Sequence, residues 1–165
     1  MRLEAPVILF GRRADTPTIN RDDPLPRFDP PAHTGDGPGR GRHLSVPAGH
    51  MIKAALLVSG RLEIGEGCHV IGDLRAGRGI IIGRNVVIEG AVYSDGSISI
   101  GACCRIVGPI VARNQITLGT QGWVGSPIEP ATMLAEQIRI YEGSVVHGSV
   151  IAYRQGEVVD ERNPG

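Results

Sequence analysis

From Leu62 onward the chain repeats itself every eighteen residues, and this period constrains the fold more than any other feature of the sequence. The segment 62–76 is matched by the segment 80–94, and further copies begin at Ile98 and Ile116. A fixed period of this length is typical of a solenoid, in which each repeat stacks on its neighbours. A solenoid has two ends, and the state of those ends decides whether the protein stops at one subunit or forms a polymer.

Each repeat contains three pairs of apolar residues, and the members of a pair are separated by one residue. In one repeat the pairs are Leu62 and Ile64, Cys68 and Val70, and Leu74 and Ala76. Alternation with a period of two indicates a strand that buries one face. Three short strands per repeat predict a triangular coil. The predicted fold is therefore all-β, a single-stranded parallel β-helix.

The pattern extends in both directions and divides the chain into three parts. We predict six coils in a β-helix domain spanning 42–153, with a four-residue insertion at Ala131–Leu134 that breaks the fifth coil. In that coil, Val124 and Ile128 are read as inward residues. Residues 1–41 carry seven of the twelve prolines and no periodicity, so we predict a disordered tail there. A second disordered tail is predicted at 154–165.

Composition excludes several classes of function. The formal net charge is zero, which disfavours nucleic acid as a partner. No cleavable signal or run of about 20 apolar residues is present, so the expected location is the cytoplasm. Cys68 and Cys104 share a column two coils apart, about 10 Å at the usual strand spacing, which is too far for a disulfide. We interpret them as small apolar fillers.

The segment 64–76 resembles the repeat of bactofilins, the polymer-forming bacterial cytoskeletal proteins, whose core reads I-G-E-G-A-x-V-x-G-D-I-x-A. The resemblance covers about 42–153. It implies a right-handed β-helix that assembles end to end into nonpolar filaments without nucleotide or other cofactor. It also implies disordered tails, a short membrane-targeting peptide, and partners among cell-shape or cell-wall proteins at the inner face of the membrane.

The terminal coils are the candidate self-association surfaces. A β-helix ends in unpaired backbone groups and a bare apolar cross-section, and natural proteins normally cover such edges. Neither end shows a recognisable capping element in the sequence, so we expect homopolymerisation; the alternative is that the tails fold over the ends. The candidate residues are Ile52, Leu56, Val58, Ile140, Val146 and Val150.

The N-terminal segment contains a short apolar run followed by two arginines. This pattern favours contact with a membrane surface, with the arginines meeting anionic headgroups. The alternative is a strand that pairs with an open end of the solenoid. The candidate membrane-contact residues are Val7, Ile8, Leu9, Phe10, Arg12 and Arg13.

Eighteen residues also equal three hexapeptides, the period of left-handed β-helix acyltransferases, and this is the alternative function. One histidine could serve such an enzyme as a general base. The five histidines do not converge, so no metal site is predicted, and no catalytic residue is assigned. A third alternative is a monomeric binding module that uses one flat face. Separately, an outward apolar column could serve lateral packing or contact with a partner; it contains Leu57, Tyr93, Val111 and Ile151.

Overall fold

The structure is a computed structural model that describes the backbone of residues 2–10 and all atoms of residues 43–160. These residues form seventeen strands and no helix. All strand pairings are parallel and join one sheet that winds around a common axis. The predicted β-solenoid of about six coils is therefore confirmed. Its right-handed sense rests on the family resemblance alone.

Each coil contributes one strand segment to each of three faces, which we call A, B and C in chain order. On face A, successive coils stack with a register of eighteen residues, as in the pairing of Leu62 with Ile80. Its segments are β2 (Leu44–Val46), β4 (Arg61–Ile64), β7 (Gly79–Ile82), β10 (Ser97–Ile100), β13 (Gln115–Leu118), the second part of β15 (Ala131–Tyr141) and the second part of β17 (Gly148–Val159).

Faces B and C are built in the same way, and two long strands run through both of them at the N-terminal end. Face B contains the first parts of β1 (Arg2–Phe10) and β3 (Met51–Val58), then β5 (His69–Ile71), β8 (Val87–Glu89), β11 (Arg105–Ile106), β14 (Trp123–Val124) and β16 (Val145–Val146). Face C contains the second parts of β1 and β3, then β6 (Leu74–Ala76), β9 (Val92–Ser94), β12 (Ile110–Ala112) and the first parts of β15 and β17.

The interior consists of aliphatic columns that run along the axis. Equivalent positions of successive coils, such as Ile64, Ile82, Ile100 and Leu118, are all buried. Each buried side chain of this size contributes roughly 1.5–3 kcal/mol relative to an exposed one. Because inward residues alternate with outward ones on every strand, the apolar pairs of the sequence face the interior as predicted.

Each coil has two kinds of corner that restrict which residues fit. One requires a residue that tolerates a left-handed backbone, and the other requires a residue without a bulky side chain. One corner has a left-handed backbone in every coil; it is occupied by Gly49, Gly67, Asn85, Cys103, Gln121 and Gly143. The other corner needs a close approach between coils. A Cβ placed on Gly90 would overlap the carbonyl oxygen of Gly72, and one on Gly108 would overlap that of Gly90.

The predicted insertion at Ala131–Leu134 is wrong. These residues belong to β15, where Met133 pairs with Ile110 and is buried. The extra residues form the loop 125–130, in which Ser126 and Glu129 bond to each other. Ile128, read from the sequence as an inward residue, lies in this loop and is 92% exposed. Pro127 and Pro130 lie on either side of Ile128 in this loop. Because proline has no backbone N–H to donate to a central ladder, this segment does not continue the sheet.

Strands also extend into both segments that were predicted to be tails. Within 1–41, residues Arg2–Phe10 form β1, which pairs with β3 and matches the alternative of a strand on the open end. At the other end, β17 continues past residue 153 to Val159 and starts a seventh rung on face A. Residue 1 and residues 11–42 and 161–165 lie outside the described residues.

Substitutions at the two kinds of corner are predicted to have different effects on stability. Gly90→Ala places a methyl group against the backbone of the coil below and should lower the free energy of unfolding by about 1–3 kcal/mol or more. Gly67→Asn is the matched control: Gly67 has open space around its Cβ position, and Asn85 already occupies the equivalent corner. Urea unfolding followed by far-ultraviolet circular dichroism measures both. Equal losses would contradict the proposed difference between the corners.

Candidate functional site

The C-terminal end of the solenoid exposes part of its own interior. Val150 lies on the column that contains the fully buried Met133, and Val158 lies on the column of Ile140. Because no described strand covers them, Val150 is 45% exposed and Val158 is 78% exposed. Ile140 and Val146 are half-buried. The structure therefore brings the predicted residues Ile140, Val146 and Val150 together at one apolar end.

Sequence reasoning missed Val158, although the signal was available. This residue stands eighteen positions after Ile140 and continues its column onto the seventh rung of face A. The rung is fixed by hydrogen bonds as well as by register, since the amide of Glu142 donates to the carbonyl oxygen of Val159 at 3.0 Å. Glu157 also accepts a hydrogen bond from Arg139 on the rung below, and this contact raises the pKa of the arginine.

The N-terminal end is different, and here the sequence prediction of a bare cross-section fails. Strand β1 pairs with β3 along most of its length, which places Leu3 beside Ile52, Ile8 beside Leu56 and Phe10 beside Val58 in the backbone register. Ile52, Leu56 and Val58 are all buried. On face A, however, β2 pairs only with β4 among the described strands, so the outer edge of β2 has no described strand partner.

An apolar column runs along the outside of face C. The predicted members Leu57, Tyr93, Val111 and Ile151 lie on it, and Leu134 joins them through its pairing with Val111. Arg75 interrupts the column at the second coil. Tyr93 and Ile151 are exposed, while the other apolar members are half-buried. The column is a second candidate contact surface. It offers less exposed apolar area for an interface than the C-terminal end, because its side chains are already partly covered.

A shallow cleft of about 590 Å³ follows the left-handed corner, and sequence reasoning did not find it. The only signal was that Asn85, Cys103 and Gln121 stand where other coils have glycine. The Cys103 thiol is exposed and lies 3.5 Å from the side-chain oxygen of Gln121. The cleft lies on the side of the solenoid. Its lining is Arg84, Asn85, Ala102, Cys103, Thr120, Gln121, Glu142 and Gly143.

Four of the five histidines lie within the described residues, and two of them are neighbours there, because the amide of His69 donates to the carbonyl oxygen of His50 at 2.9 Å. His69 shares a 2.8 Å hydrogen bond with Glu89 on the open surface of face B. His50 bonds to backbone carbonyl oxygens of its own turn, and the ring of His147 packs 5.1 Å from that of Trp123. Within the described residues, no group of three His, Cys, Asp or Glu side chains is placed to hold a metal ion.

Two of the three cysteines are interior fillers, as predicted. Cys68 and Cys104 are buried, and their thiols donate to the carbonyl oxygens of Pro47 and Gly83 in the coil below. Burial raises the pKa of the Cys104 thiol above its ordinary value, which disfavours the reactive thiolate.

This contrast predicts selective thiol chemistry. A native sample treated with a chromogenic disulfide reagent should release one equivalent rapidly, from Cys103, and the remainder only after unfolding. Cys103→Gly should abolish the fast phase without loss of stability, because glycine already occupies the same corner at Gly67 and Gly143. A fast phase that survives in Cys103→Gly would contradict the burial of the other two thiols.

The candidate membrane segment is only partly described. Val7, Ile8, Leu9 and Phe10 lie in β1 with their backbone paired to β3, while Arg12 and Arg13 lie outside the described residues. Membrane contact therefore stays a prediction. Among the described residues, no helix has the length and apolar character needed to cross a membrane.

No protein-family model, curated protein or solved structure matches the chain. The resemblance to bactofilins consequently stays a prediction from the repeat sequence.

Proposed function

We propose that this chain is a non-enzymatic scaffold that assembles without nucleotide by stacking its β-solenoid end to end. The observation that carries the proposal is the exposure of Val150 and Val158, two residues of inward columns, at the C-terminal end. Exposed apolar surface that continues a buried core is a strong indication of an interface.

The backbone supports the same proposal. In the described residues, β17 pairs only with β15, so its outer edge carries N–H and C=O groups without a strand partner. Such an edge is a template for strand addition. Each backbone hydrogen bond formed there contributes a net of about 0.5–1.5 kcal/mol, so a rung of several bonds is worth as much as a small apolar contact.

The finer parts of the proposal rest on the resemblance. Filaments of this kind would organise cell-shape or cell-wall proteins in a bacterial cytoplasm. If residues 7–13 also touch a membrane, assembly would multiply a weak contact into stable attachment through avidity.

The structure offers two neighbouring residues that separate end stacking from lateral packing. Val150 and Ile151 are 45% and 44% exposed, but Val150 belongs to an inward column and Ile151 to the outward column of face C. Val150→Arg should place an unpaired charge in the interface and weaken association by about 3 kcal/mol, or roughly 100-fold. Ile151→Arg should leave end-to-end association unchanged.

Sedimentation velocity and negative-stain electron microscopy without nucleotide measure assembly, and circular dichroism checks that both variants keep their β structure. Loss of assembly in Ile151→Arg alone would indicate lateral packing and contradict the proposal, as would a wild-type protein that stays monomeric at high concentration. Leu56 is a poor site for this test because it is buried within the first coil.

A further inference from the structure

The C-terminal end of the solenoid is a step and not a plane. The second part of β17, which includes Glu157 and Val158, pairs with Arg139 and Ile140 and forms the last rung of face A. On faces B and C the last rungs are β16 and the first part of β17, one coil earlier. Among the described residues, face A therefore projects one rung, about 4.8 Å, beyond the other two faces.

The N-terminal end carries the opposite step. Strand β1 adds a rung to faces B and C, outside β3. On face A the first described rung is β2, which belongs to the same coil as β3. Within the described part of the chain, faces B and C therefore project one rung beyond face A, and each face holds seven rungs there.

From these two steps we infer that subunits join head to tail and build a shared coil between them. This inference rests on the proposed end-to-end assembly and specifies its geometry. The face A rung comes from residues 155–159 of one subunit, and the rungs of faces B and C come from β1 of the next. Strand β2 of that second subunit then follows on face A. All strands stay parallel, so the hydrogen-bond ladder passes through the junction without a change of pattern.

The residues that would meet at this junction are all aliphatic. If the register of the solenoid continues, Val146 is followed by Leu3 of the next subunit, Val150 by Ile8, and Val158 by Val46. By backbone register, each of these three steps joins two aliphatic residues of one column. The exposed Val150 and Val158 would be covered by the next coil, as their counterparts inside each subunit are.

A two-fold contact between like ends does not fit as well. If two C-terminal ends meet with their projecting rungs on each other, faces B and C are left apart by the height of two missing rungs, about 10 Å. If instead the face A rung of each subunit sits on a recessed face of the other, the remaining recessed face of each subunit lies opposite its counterpart. The gap between those two faces is then one rung too wide. Only the head-to-tail arrangement closes all three faces, and it gives the filament a polarity, in contrast to the nonpolar filaments that the resemblance to bactofilins implies.

Disulfide trapping tests the junction directly. In the proposed register, Glu157 of one subunit lies beside Ser45 of the next on the outside of face A, because both belong to one outward column. Their Cα atoms would be about 5 Å apart, within the range for a disulfide. The experiment uses full-length Glu157→Cys and Ser45→Cys as separate proteins, each also carrying Cys103→Gly, mixed and then oxidised.

The expected result is a disulfide-linked heterodimer in the mixture and none in either protein alone. Glu63→Cys replaces Ser45→Cys as the matched control, since Glu63 lies one rung deeper in the same column and out of disulfide range. Dimers from Glu157→Cys alone would show a two-fold contact. That result, or assembly without any link between positions 45 and 157, would overturn this inference while leaving end-to-end assembly intact. Absence of assembly would overturn the proposed function instead.

Deletion of residues 2–10 provides a second, independent test. If β1 forms part of the shared coil, the deletion removes two of its three strand segments and should weaken association at least tenfold. If β1 only caps its own subunit, the deletion should strengthen association by uncovering β3. Unchanged or stronger assembly, with β structure retained by circular dichroism, would overturn the inference. The Ser45→Cys thiol could instead be shielded from reagent in monomers and form no disulfide between subunits. That result would show that residues 11–42 occupy the edge of β2, and it would also overturn the inference.

Discussion

The parallel hydrogen-bond ladder between coils is the interaction on which this structure depends. Each coil is too short to bury its own aliphatic residues, and it becomes stable only when the coils above and below bond to its backbone and cover its interior. The glycines at positions such as 90 and 108 allow this approach, because any side chain there would overlap the neighbouring backbone. Nothing in the repeat itself terminates such a ladder, because every coil offers the same backbone groups to the next. Particular residues at the two ends must therefore terminate it.

The two ends differ in how they terminate the ladder. At the N-terminal end, β1 adds a partial rung and the hydrophobic residues below it are buried. At the C-terminal end, β17 adds a rung on face A and leaves Val150 and Val158 exposed. The first and last described strands thus set the shape of the two surfaces as described, and the proposed assembly follows from that shape.

Some expectations failed for identifiable physical reasons. The sequence placed the insertion at Ala131–Leu134 because Ile128 keeps the apolar spacing of the preceding coils, yet Pro127 and Pro130 prevent that segment from joining a ladder. Met133 takes the inward place instead. The sequence also treated the first coil as open, since the pairing of β1 with β3 joins residues about fifty positions apart that share no repeat pattern.

By itself the sequence determined the solenoid, its three faces, the columns of its core and the interior position of Cys68 and Cys104. These follow from a local period that every coil repeats, so each prediction was supported several times over. Only the tertiary structure decided which end is covered, which apolar residues stay exposed, and that, among the described strands, face A is offset by one rung from faces B and C at both ends. Those properties depend on single, non-repeated pairings of the terminal strands, for which a period gives no information.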